Sequence, residues 1–184
     1  MKASDDRAPT LEEIQKLLEF PNRRIKPLVL TLVSSGIRIG AFETLKWKHI
    51  TPIHDPKTND IMAAKILVYP GDREEYFSFI TLEVYTAISE CMDYRLSRGE
   101  NITGQSLVMR DVSKEDDSEG ISNPKPLSPF AITRLLNRAW QSQKIRSKLQ
   151  NDEKRHQFKT AHGFRKYFKT QVEQAECIQQ KLKF

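Results

Sequence analysis

The sequence predicts an α+β fold, mainly α-helical: a helical core with one small three-stranded antiparallel sheet. Three observations predict it. Apolar residues recur at helical spacing in several long stretches that begin and end on cap or stop residues. β-formers concentrate in one stretch, residues 49–80, where they alternate with turn residues. The chain has 184 residues, enough for one domain with a real core.

Each element has its own signals. Residues 1–9 are polar and read as a flexible segment, leaving 10–184 as the folded domain. Thr10 and Glu13 form a capping-box pattern, followed by Leu11, Ile14, Leu17 and Leu18 on one helical face; Pro21-Asn22 ends that helix. Residues 24–35 read as a second, more deeply buried helix, with Pro27 in the first turn, where its missing N–H costs little, and Gly36 as the stop. A third helix is expected over 38–47. Strands follow at 49–53, 63–69 and 76–80, the last two flanking the turn Pro70-Gly71-Asp72-Arg73. Thr81 starts a helix to about residue 98, with Val84, Tyr85, Ile88, Met92 and Leu96 periodic. Residues 99–127 carry no clear element beyond a short stretch at 107–110, and 114–120 read as a charged, flexible loop. Ser128-Pro129 starts a helix expected to reach residue 149, with Ile132, Leu135, Leu136 and Trp140 on one side. Residues 151–159 read as a polar connection, and a last helix spans 163–182.

Composition narrows the partners. The net charge is +6 with a pI of about 9.3, which favours an anionic partner such as nucleic acid. Cys91 and Cys177 lack metal-ligand spacing and read as free or buried thiols. No run of about 18 apolar residues and no signal-peptide core is present, so a soluble, cytoplasmic protein is expected, with no membrane contact.

Two stretches carry chemistry. In Thr31–Ile50, TLVSSGIRIGAFETLKWKHI, Arg38 stands between two isoleucines just after the helix stop. A guanidinium held there is a fixed fork for a phosphate, or for a core-edge carboxylate. In Thr160–Thr170, TAHGFRKYFKT, His162 and Arg165 share a helix face at a spacing of three. Together the two stretches resemble the boxes of the tyrosine recombinase (phage integrase) family. SGIRIGAFETLKWKHI is similar to T-G-L-R-I-G-E-x-x-x-L-x-W-x-D-I, and HGFRKYF to H-x-L-R-H-x-F. Departures are Ala41 and His49 where the first box has acids, and Lys166 for the second histidine.

The resemblance implies a catalytic-domain fold and a reaction in which a tyrosine hydroxyl attacks a DNA phosphodiester, forming a 3′-phosphotyrosine without metal, ATP or other cofactor. It implies that Arg38 and Arg165 hold the non-bridging oxygens and that His162 assists proton transfer. The hairpin lysine that protonates the leaving 5′-oxygen falls on Lys65, with Arg73 as the second choice and a poor acid. Arg73, Arg134, Arg138, Lys144 and Lys166 are the DNA-binding candidates, expected to contact backbone rather than bases. The implied partners are double-stranded DNA and further protomers, four in the family's recombining complex, with a monomer expected off DNA. The family places its nucleophilic Tyr well beyond the second box. Here 19 residues follow Arg165, and no Tyr lies past Tyr167, which reads as a packing residue. A catalytic domain lacking its nucleophile segment is therefore expected, with a non-enzymatic DNA-binding or regulatory module as the alternative, so whether this chain is itself an enzyme stays open.

Overall fold

The computed structural model describes residues 7–111, 121–145, 148–149, 152–156 and 160–181. Its helices are α1 (Leu11–Leu18), α2 (Ile25–Ser35), α3 (Leu82–Ser97), α4 (Pro129–Ser142) and α5 (Thr160–Lys181). Strands β1 (Ile50–His54), β2 (Ile61–Val68) and β3 (Tyr76–Thr81) form an antiparallel sheet in the order β1-β2-β3. A separate two-stranded hairpin pairs β4 (Lys148–Leu149) with β5 (Asp152–His156). The α+β, mainly helical architecture is the one the sequence predicts.

α2 is the central element. Eight of its eleven residues are buried, including Leu28, Val29 and Leu32. Its buried hydroxyls are satisfied locally: Thr31 donates to the Pro27 carbonyl and Ser35 to that of Thr31, each at 2.6 Å. One face of the sheet, Ala64, Ile66, Val68 and Ile80, is buried against this helical core, with Ile50 from β1. The other face, with Phe77 and Phe79 more than half exposed, looks outward. Trp140 of α4 and Phe164 of α5 are both fully buried and stack at 5.7 Å, tying the last helix into the core.

Several expectations are corrected. Residues 7–9 are held rather than free: Arg7 makes a two-pronged pair with Glu13 at 2.7 and 2.6 Å, and Pro9 is buried. Leu11 is exposed, the buried face of α1 being Ile14 and Leu17. The third helix over 38–47 does not form. Two 3-10 turns, Ile39–Glu43 and Trp47–His49, take its place, because the Trp47 and Lys48 N–H groups bond to the Ser106 and Gly104 carbonyls. α4 stops at Ser142, seven residues early. Ile145 N–H bonds to the Trp140 carbonyl and Lys144 N–H to that of Gln141, a left-handed helix-ending motif with Lys144 at φ 51°. The stretch beyond it enters β4, and β5 falls in the expected polar connection.

α3 buries Arg95 and exposes Leu96, the reverse of the apolar spacing. Gly99, at φ 90°, turns the chain back so that Glu100 pairs with both Arg95 and, at 2.7 Å, Arg110. Arg95 also donates to the Leu107 carbonyl at 2.6 Å, pinning the long connection to α3. Cys91 is a free thiol whose burial pushes its pKa up. The charged loop 114–120, Arg146, Lys159 and the side chains of Lys148 and Cys177 lie outside the described residues.

Candidate functional site

The site is built where α2 ends. Gly36 stops the helix at φ 62°, and a Cβ there would overlap the Phe168 ring of α5. Glycine is required twice, for the backbone angle and for the approach of α5. Ile37 then plunges into the core, which forces Arg38 outward on extended backbone (φ −76°, ψ 147°). Its guanidinium is largely exposed and lies 3.4 Å from the Glu74 carboxylate. At the far end of the same stretch, the His49 ring accepts a hydrogen bond from Lys46 N–H at Nδ1, 3.1 Å. Burial, with Lys48 and Lys46 nearby, lowers the His49 pKa, so a neutral ring staples the turn.

α5 positions the second arginine. Buried Phe164 anchors the helix, and the Thr160 hydroxyl bonds to Asn137 Oδ1 of α4 at 2.6 Å. Arg165, half-buried, follows Phe164 directly; His162, exposed, lies three residues before it and Lys166, half-buried, one after. Phe168 sits three residues past Arg165 and rests on Gly36, which brings the Arg165 side of α5 to the start of the Arg38 segment. The charges of Arg165 and Arg38 are both felt at Tyr76. Burial and the nearby Tyr69 raise the Tyr76 pKa, and Arg165 and Arg38 pull it down without cancelling the rise.

The β2–β3 connection supplies the rest of this site. Tyr69 follows β2 at φ 53°, and its ring meets the edge of Tyr76 at 6.3 Å. Two of the turn's acids serve the turn itself: Asp72 accepts from Glu74 N–H at 2.9 Å and Glu75 from Gly71 N–H at 2.7 Å. The third, Glu74, is the one that faces Arg38. Tyr76 pairs with Val68 on the core-facing side of the sheet, whereas Lys65 pairs with Phe79 and Thr51 on the outward face. The Lys65 ammonium lies 4.5 Å over the Phe77 ring.

The charges of Arg38 and Arg165 thus both bear on Tyr76, and His162 lies three residues before Arg165 on α5. The structure puts Lys65 on the opposite side of the sheet from Tyr76 and leaves Arg73 exposed in the turn. Arg134 and Arg138 are exposed one turn apart on α4, on either side of the Asn137 that holds α5. Lys144 is exposed just past the end of α4 rather than on it. Tyr167 packs against the core. Tyr69, Glu74, Tyr76 and Phe168 were not singled out as site residues from sequence; the hairpin register, which pairs Tyr76 with Val68 beside Tyr69, is the signal that finds the tyrosines. Among the described residues no cluster of His, Cys, Asp and Glu suits a metal ion, and no helix is long and apolar enough to cross a membrane.

No protein-family model and no curated protein sequence matches the chain. Solved structures do match. The crystal structure of XerA recombinase superposes with a TM-score of 0.61 at 18% identity, over 90% of this chain and 50% of that one. XerH site-specific recombinase bound to its difH substrate before cleavage gives 0.61 at 16%, over 92% of this chain and 44% of that one. The Tn1549 transposon integrase in complex with circular intermediate DNA gives 0.54 at 15%, over 95% and 54%. All three are tyrosine recombinases, and the chain spans about half the length of each. The fold is therefore that of a tyrosine recombinase catalytic domain.

Proposed function

We propose that this chain, which has the tyrosine recombinase catalytic-domain fold, is the DNA-binding core of a site-specific recombinase or integrase that cleaves and rejoins strands through a 3′-phosphotyrosine intermediate. The observation that carries the proposal is the meeting of Arg38 and Arg165. They are far apart in sequence, yet both charges act on one phenol, Tyr76. Two guanidinium charges bearing on one place suit a phosphodiester whose non-bridging oxygens gain charge as it becomes five-coordinate. In this reading each arginine binds one non-bridging oxygen, and removing either raises the barrier by about 3–4 kcal/mol. His162, exposed near Arg165, exchanges a proton with a reacting oxygen. Arg134, Arg138, Lys144, Lys166 and Arg73 hold the duplex through its backbone. Lys65 stands outside the arginine pocket, and the proposal gives its ammonium no part in protonating the leaving oxygen. The reading gives none of the tyrosines within 1–184 the part of nucleophile. The partners are double-stranded DNA and further protomers assembled on it.

The second reading is a DNA-binding or regulatory module that keeps the fold without the chemistry. It is favoured by Glu74, a carboxylate resting on Arg38, and by the outward direction of Lys65. A trapping assay separates the two. The chain is mixed at low salt with a pool of nicked duplexes that lose their 5′-hydroxyl fragment on cleavage, alone and within a version extended past residue 184. Binding by both, with an SDS-resistant adduct from the extended version alone and lost in Arg38→Ala and Arg165→Ala, supports the recombinase reading. Binding without adduct from either supports the module. An adduct from the 184-residue chain would put the nucleophile within it and refute the assignment above.

A further inference from the structure

The arginine pocket contains a group that the reading above leaves without a role. Tyr76 opens β3 on the core-facing side of the sheet, paired with Val68. Its ring is held edge-on by Tyr69, and Tyr69 in turn stands over the 3-10 turn that follows Arg38: a Cβ built on Gly40 would lie 3.7 Å from the Tyr69 hydroxyl. Two residues before Tyr76 in the same connection, Glu74 reaches Arg38 at 3.4 Å. A carboxylate already rests where an anion would bind, and Tyr76 is its close neighbour along the chain. Tyr76 is nevertheless 39% exposed, so its hydroxyl is accessible from solvent.

Resting on the reading of Arg38 and Arg165 as phosphate-binding, we propose that Tyr76 is a third ligand of that phosphate, a neutral phenol that donates its O–H to an oxygen of the diester between the two guanidinium groups. A phenol can do this only while it keeps its proton, since a phenolate would repel the phosphate. Two arginines alone would favour the phenolate. Burial, with Tyr69 beside it, outweighs them and raises the Tyr76 pKa further above the ordinary phenol value, so the hydroxyl keeps its proton at neutral pH. The same balance argues against Tyr76 as the attacking nucleophile, which must lose its proton. The contact is a hydrogen bond alone; no bond is made or broken at Tyr76. A neutral donor complements the arginines because it adds a directed hydrogen bond without displacing a further counterion from DNA.

That difference gives the test. Fluorescence anisotropy with a labelled duplex of arbitrary sequence is measured for the chain over a series of salt concentrations, with Tyr76→Phe, Arg38→Ala and Arg165→Ala in parallel and thermal unfolding of each. Tyr76→Phe keeps the ring and its contact with Tyr69. Its affinity is expected to fall about fivefold, with an unchanged salt slope and an unchanged unfolding midpoint. Each arginine variant is expected to lose affinity and about one unit of salt slope. Tyr76→Phe binding as tightly as the parent, while the arginine variants weaken, overturns the role of Tyr76 and leaves the phosphate-binding reading standing. A change of slope in Tyr76→Phe also overturns it, because a neutral donor cannot cause one. Unchanged binding in both arginine variants refutes the phosphate-binding reading and the Tyr76 proposal with it.

Discussion

At the residue scale the site depends on a few side chains whose neighbours leave them one place to be. Arg38 is outward because Ile37 is inward, and Ile37 is inward because Gly36 turns the chain off α2 at φ 62°. Gly36→Ala is expected to cost at least about 1–2 kcal/mol for the left-handed backbone alone, with more from the Phe168 ring; thermal or urea unfolding measures it. On the proposed reading, Glu74 is the carboxylate that DNA displaces from Arg38. The pair is exposed on both sides, so Glu74→Gln is expected to tighten duplex binding only about two- to fivefold, read by anisotropy at low salt. The residues of the two boxes were legible in sequence by type and order. Tyr76 was not, because its part comes from strand register and from charges carried on two distant elements.

At the scale of elements, ends matter more than middles. The capping box of α1 forms as its sequence pattern predicts: Thr10 accepts from Glu13 N–H at 3.2 Å, and Glu13 accepts from Thr10 N–H at 2.8 Å. Thr10→Ala is expected to cost about 1 kcal/mol in an unfolding titration. Burial would raise the Glu13 pKa, but hydrogen bonds from Arg7 and Thr10 outweigh it and hold the carboxyl low. A carboxyl held low when folded contributes stability above its ordinary titration range, and that contribution is lost as pH falls through the folded value. Glu13→Gln is therefore expected to lose stability at neutral pH and to show a flatter acid limb than the parent, measured by unfolding from pH 7 downward. Elsewhere the sequence misled where an end lacks its usual residue. α4 stops at a left-handed Lys144, not a glycine, and apolar spacing then ran the helix on to residue 149. The expected helix after Arg38 was overruled by backbone pairing with residues 104–106, a partner more than 50 positions away that no local pattern announces.

At the scale of the whole molecule, two long-range ties hold the pieces that make the pocket. Phe164 against Trp140, with Thr160 on Asn137, docks α5; Phe168 on Gly36 sets it beside Arg38. The second tie is the buried group of Arg95, Glu100 and Arg110, which anchors residues 100–110 and, through them, the turn after Arg38. Glu100→Ala leaves two guanidinium groups buried without their carboxylate and is expected to destabilise by about 3–5 kcal/mol in a denaturant titration. The net charge of +6 belongs to this scale too, since on the proposed reading it bears on how steeply duplex binding falls with salt.

The sequence by itself determined the fold class, the stop at Gly36 and the order of the five helices around the three-stranded sheet, though not the 3-10 turns after Arg38 or the β4–β5 hairpin, and its box motifs singled out the two arginines, because periodicity, caps and motifs are local properties of the chain. Only the tertiary structure decided that the charges of Arg38 and Arg165 both bear on Tyr76, that Glu74 rests on Arg38, and that Lys65 looks the other way. Those outcomes depend on strand register and helix docking: a slip of β2 by one residue would turn Lys65 to the other face, and a slip of β3 would do the same to Tyr76.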